Sequence, residues 1–214
     1  MLYFPNKFRG QEVNISKTIS KKIKGFRRGK PFRSSDFLEL GSRAAVDQAL
    51  WRLVKAGEIK RIKRGVFVKP EKNAYVGEVL PGAEEVAEFL ARQSGNKIQV
   101  SGADAARRFG FTTQVSSRHV FLTDGPSRRW RLGNLEVHLK HVPMRRVALA
   151  GRPAGEALSA LWHLGRDDVT PEVFEQIEGR LPAGEFAALT SKQDVMPGWM
   201  RDALGAYRRE RRVA

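Results

Sequence analysis

The chain has 214 residues, 39 Lys or Arg against 23 Asp or Glu, a formal charge of +16, and no cysteine. That length holds one large domain or two modest ones, and the missing thiols exclude disulfides, a cysteine nucleophile and a thiolate zinc site. No uninterrupted apolar run of about 18 residues is present to span a bilayer, and the first residues lack the pattern of a secretory signal, so a cytoplasmic protein without a membrane partner is expected.

In chain order, Ile15, Ile19 and Ile23 recur at helical spacing and predict a helix over residues 14–24, with Asn14 as its N-cap. Gly25 and Gly29 place a loop in "GFRRGKPF". Ser34 or Ser35 then caps a short helix, "DFLEL", stopped by Gly41, and Ser42 caps the next helix at once. Val46, Leu50, Leu53 and Val54 form the buried stripe of that helix, and Gly57 follows its last turn. "EIKRI" and "VFVKP" read as strands with "KRG" turning between them. Three helices followed by a hairpin is the order of a winged helix-turn-helix.

A linker is expected over residues 72–82, then an amphipathic helix with Val86, Phe89 and Leu90 inward. "KIQV" reads as a buried strand and "GADAARRFG" as a short helix. "RHVFLTDG" and "RRWRLGNLEVHLKHV" supply further strands, the latter turning at Gly133–Asn134 as a II′ hairpin. From about residue 151 the spacing is helical in four segments, with Pro171 and Pro182 at first-turn positions. The expected fold class is α+β. A winged helix-turn-helix over 1–75 precedes a small α+β domain over 76–150 and a helical region over 151–214 packed with it.

The charge is uneven along this plan. Residues 1–75 carry 19 basic and 6 acidic side chains, net +13, whereas residues 76–150 carry net +4 and residues 151–214 net −1. Ribosomal and membrane-surface proteins are also basic, so charge by itself argues for a polyanionic partner and no more. The helix starting at Ser42 narrows the choice, because burying its apolar stripe leaves Arg43, Asp47, Gln48, Trp51 and Arg52 outside. Arg pairs bidentately with guanine and Gln with adenine, and residues early in a recognition helix reach base edges. Lys60, Arg61, Lys63 and Arg64 crowd one tight turn, where they repel one another unless an anion lies near. Arg28, Lys30 and Arg33 add cations that suit flanking phosphates. Double-stranded DNA is the expected partner.

With those residues in view, "SSDFLELGSRAAVDQALWRLVKAGEIKRIKRGVFVKP" resembles the N-terminal domain of AbiEi-type antitoxins, winged-helix proteins of type IV toxin–antitoxin modules. "VSGADAARRFGFTTQVSSRHVFLTDGPSR" is similar to the segment that follows in a branch of that group, so the resemblance spans residues 15–148. It implies a transcriptional repressor that binds repeats in its own promoter and opposes a neighbouring nucleotidyltransferase-like toxin. A regulator without a toxin partner is the alternative. Apolar surface left over on the C-terminal helices would serve a protein partner or a second copy, as a homodimer or in cooperative binding on DNA.

Enzymatic readings have less to stand on. His138 and His141 lie three apart in a predicted strand and so point to opposite faces, a poor metal pair. Glu58-Ile59-Lys60 has a nuclease-like spacing, but the sequence supplies no partner carboxylate, and outward charges on a strand explain it more simply. "AGRPAG" lacks the Lys-Ser/Thr of a phosphate loop. No catalytic residue, metal or cofactor is expected, and a metal-dependent nuclease or an RNA-binding protein is the remaining rival.

Overall fold

A computed structural model of the chain describes residues 7–73, 75, 77–116, 118–132 and 135–213. Helices and small sheets mix in an α+β protein that divides into two compact units, residues 1–86 and 87–214.

In the first unit, α1 (Lys7–Lys24) buries Ile19 and Ile23, with Ile15 packed beside them. The helix begins at Lys7, so Asn14 lies inside it and is not its N-cap. An apolar stripe marks where a helix is covered, and α1 extends a further two turns upstream of its stripe. β1 (Pro31–Arg33) falls in the segment read as loop. It exists because Phe32 sits opposite Phe67 in an antiparallel pair.

"DFLEL" is part of a 3-10 segment, Ser34–Leu40, and neither serine caps it. Arg33 does, its backbone N–H and Nε each donating to Asp36 at 2.9 Å. The backbone N–H of Ser34 instead donates to the carbonyl of Gly65 at 2.9 Å. α2 (Arg43–Lys55) starts as expected, with the Ser42 hydroxyl accepting from the Ala45 N–H at 3.3 Å. Val46, Leu50 and Leu53 are buried and Val54 is packed against them, while Ala49 is buried too.

β2 (Lys60–Lys63) and β3 (Val66–Val68) form the expected hairpin, closed by Arg64 and Gly65, whose φ of 75° only glycine adopts readily. The sheet order is β1-β3-β2, with a bulge between Arg61 and Lys63. Phe26, Phe32, Phe37 and Phe67 meet at ring separations of 5.2–6.0 Å and fill the space between helices and sheet. Phe32, Phe37 and Phe67 are buried, and each contributes about 1.5–3 kcal/mol to holding α2 and the hairpin in place.

Residues 72–82 are more than a linker. β4 (Glu71–Asn73) and β5 (Gly77–Val79) pair antiparallel, with Glu71 opposite Val79. α3 (Ala83–Gln93) follows. Val86 and Leu90 are buried on it as expected, whereas Phe89 is half-buried.

The second unit contains a four-stranded sheet in the order β6-β7-β9-β8, from β6 (Ile98–Val100), β7 (His119–Thr123), β8 (Arg128–Leu132) and β9 (Leu135–His141). β8 and β9 are antiparallel neighbours, and the II′ turn expected at Gly133–Asn134 lies outside the described residues. β7 and β9 run parallel, a pairing that alternation along single strands cannot reveal. α4 (Gly102–Arg108), capped by Ser101, packs on α5 (Pro153–Leu164). The approach is close enough that a Cβ on Gly102 would lie 2.9 Å from the carbonyl of Ser159.

α6 (Pro171–Arg180), α7 (Glu185–Ser191) and α8 (Gly198–Val213) complete this unit, with Leu158, Leu161, Phe174, Ile177, Met200 and Leu204 fully buried. Pro171 opens α6 as expected, but Pro182 stands ahead of α7, whose N-cap is Gly184. A left-handed residue was needed there, and proline cannot supply it. Among the described residues no helix is long and apolar enough to cross a membrane.

Candidate nucleic-acid interface

The first unit carries an open cleft of about 290 Å³ between the outer face of α2 and the β2–β3 hairpin. Arg43, Asp47 and Trp51 line one wall because they recur every four residues along α2. Arg61, Arg64 and Gly65 line the other, and Val54 and Phe67 contribute apolar surface. Burial of the opposite stripe of α2 leaves Trp51 with 58% of its surface exposed, which is unusual for so large an apolar side chain. Lys55 Nζ lies 5.6 Å from the centre of its ring and adds positive charge beside it.

Within the cleft the charges are not equivalent. Arg43 Nε donates to Asp47 Oδ2 at 3.1 Å, an exposed pair one turn apart. The carboxylate orients the guanidinium and leaves its remaining donors open. Arg61 Nε makes a long contact of 3.4 Å to the Lys63 carbonyl, so its charge is not neutralised by it. Arg64 is exposed at the hairpin tip.

The other expected contact residues are placed less uniformly. Gln48 and Arg52 are exposed on the adjoining stripe of α2, beside the cleft lining. Ser42 is exposed at the helix start, its hydroxyl occupied as the cap. Lys63 is half-buried at the end of β2. Lys60 turns to β5, where its Nζ lies 3.0 Å from Glu78 Oε2. Arg33 is held by Asp36. Arg28 lines a different cleft with Arg27, Glu71 and Glu85, and Lys30 is exposed nearby in sequence. Sequence reasoning missed Val54, Gly65 and Phe67 as cleft residues, and it missed the Lys60–Glu78 pair, which joins residues 18 positions apart.

Residues weighed for other chemistry are engaged separately. His138 Nε2 lies 2.8 Å from Glu136 Oε1, and the hydrogen bond from this ring holds the Glu136 carboxyl below the usual range. His141 Nδ1 lies 3.0 Å from the Gly125 carbonyl. Glu58 is exposed just before β2 and Ile59 is fully buried. Among the described residues no three His, Asp or Glu side chains gather as a metal-binding group.

A family profile described as "Family of unknown function (DUF6088)" matches residues 18–183. Among solved structures, the crystal structure of the RV2827C protein from Mycobacterium tuberculosis is similar at 15% identity, over 91% of this chain and 80% of that chain, with a TM-score of 0.48. A likeness that loose identifies no function. No curated protein matches.

Proposed function

The chain belongs to the DUF6088 family, whose function is unknown, and we propose that it is a sequence-specific DNA-binding repressor with a winged helix-turn-helix in its first unit. The single observation that carries this reading is the cleft that joins the outer face of α2 to the cationic hairpin. A helix about 10–12 Å across fits the major groove of B-DNA. A hairpin beside it then runs along the sugar–phosphate backbone, where cations gain most. In this assignment Arg43, oriented by Asp47, and Gln48 read base edges, Trp51 covers apolar base surface, and Arg61 and Arg64 hold phosphates. The chain order α1, β1, the 3-10 segment, α2 and then the β2–β3 hairpin, with β1 joining that hairpin in one antiparallel sheet, supports this reading.

The expected behaviour is binding to DNA from upstream of the protein's own coding region, with a strong salt dependence. Neutralising six phosphates gives a slope of about −5 for log K against log salt. Anisotropy titrations with that DNA and with a shuffled duplex test the reading, and equal affinity for both contradicts it. The antitoxin role rests on the sequence resemblance alone. Its test is co-expression with the neighbouring gene: rescue from growth arrest supports it, and a harmless neighbour leaves a regulator without a toxin.

A further inference from the structure

We propose that the second unit holds a phosphate-binding site where the 3-10 turn Met144–Val147 meets α5, formed by Arg145, Arg146 and Trp162. The two guanidinium carbons lie 5.3 and 5.1 Å from the centre of the Trp162 ring. Two cations thus share one indole, and among the described residues neither has a carboxylate partner. Two other arginines that meet α5 or its start are carboxylate-paired: Arg108 with Glu156 at 2.7 Å and Arg152 with Glu185 at 2.8 Å. Stacking on an aromatic face offsets part of the repulsion between two guanidiniums but leaves a doubly positive spot.

Burial adds to the case. Arg146 is half-buried, and its Nε and the Trp162 Nε1 are both removed from solvent with no acceptor among the described residues. Burial, and after it the charge of Arg145, push the Arg146 guanidinium below its ordinary range. An arginine is seldom left desolvated, unpaired and beside another arginine for structural reasons alone, because each orphaned donor costs free energy. Trp162 itself packs edge to face against Trp199 at 6.2 Å. Arg145 stays exposed next to Met144, so its guanidinium is open to a ligand beside the half-buried Arg146.

A dianion matches two guanidiniums in charge, and their planar forks match the geometry of phosphate oxygens. A monocarboxylate would leave one charge uncompensated. The ligand is therefore phosphate carrying two negative charges, either the dianion of a small phosphomonoester or two neighbouring monoanionic phosphates of a nucleic-acid backbone.

The test is calorimetric titration of the full chain with inorganic phosphate at pH 8 and constant ionic strength, with acetate in parallel. Phosphate binding is expected, with acetate at least about tenfold weaker. The Arg145→Gln, Arg146→Gln variant should lose about tenfold in phosphate affinity, and the Arg145→Lys, Arg146→Lys variant, which keeps the charge but loses the planar fork, should fall between. Equal affinity of phosphate and acetate, or unchanged phosphate affinity in the lysine variant and in any glutamine variant that folds, overturns the proposal. Adenosine monophosphate and a random duplex then distinguish the sources. Selective loss of the first in the variants assigns a phosphomonoester, selective loss of the second assigns a backbone, and loss of neither overturns the site.

Discussion

Replacing Arg61 and Arg64 together by alanine removes two cations from the hairpin side of the cleft without touching the core. Neither side chain is neutralised by a carboxylate among the described residues, so both are available to a phosphate. Each phosphate contact contributes about 0.9 to the salt slope. From a slope of about −5 for the parent, the double variant should fall to roughly −3. Between 50 and 200 mM salt the parent then loses roughly a thousandfold in affinity, and the variant somewhat under about a hundredfold. Stability should change by no more than about 0.5 kcal/mol, since both side chains are exposed and Arg61 makes only a long contact to the Lys63 carbonyl.

Lys60→Ala is the internal control. Its ammonium is already 3.0 Å from Glu78, so its loss should change the slope less than either arginine does. Anisotropy titrations at four salt concentrations, with a thermal melt of each variant, make the measurement. An unchanged slope in the double variant would refute the placing of phosphates along the hairpin, and so would a larger effect from Lys60.

Three further outcomes are expected. Asp47→Ala should cost under about 0.5 kcal/mol of stability, because its pair with Arg43 is exposed. It should nonetheless raise affinity for random duplex and lower the ratio of promoter to random binding, read by competition. Leu50→Ala, at a side chain with no exposed surface, should cost about 2–5 kcal/mol in denaturant unfolding, whereas Ser42→Ala should cost about 1 kcal/mol as a lost cap. Glu185 accepts from Arg152 and from the Ala154 N–H, and these hydrogen bonds hold its carboxyl below the usual range. A depressed folded value stabilises above the unfolded value and is lost as pH falls through the folded one. Glu185→Gln should therefore melt below the parent at pH 7, and the gap should narrow below about pH 4.

The elements around the candidate site were legible because their signals are local. Ser42 caps three residues ahead of the N–H it serves, Val46, Leu50 and Leu53 repeat at helical spacing, and Gly65 marks a turn between apolar strands. What escaped the sequence depends on partners distant along the chain. β1 is three residues long and is a strand only through β3. The β4–β5 pair carries charged and small residues without alternation, so its composition resembled a linker. Parallel β7 and β9 obey no rule readable from either strand. Within the cleft, the exposure of Arg43, Asp47 and Trp51 followed from the helical period. The diversion of Lys60 to Glu78 did not, because β5 itself was unforeseen.

Because the chain has no cysteine, a single engineered thiol is a unique point of attachment for a DNA-cleaving iron chelate. Ala44→Cys places the chelate at the exposed start of α2 on a side chain with no assigned base contact, and Lys17→Cys places it on the exposed face of α1, away from its buried stripe, as the control. On promoter DNA focused cuts are expected from position 44, at fixed positions within the bound repeats and absent from shuffled DNA, with little cleavage from position 17. Cuts from position 17 with none from position 44, or equal diffuse cleavage of any duplex from both, would contradict the claim that α2 and its hairpin are the surface that reads DNA.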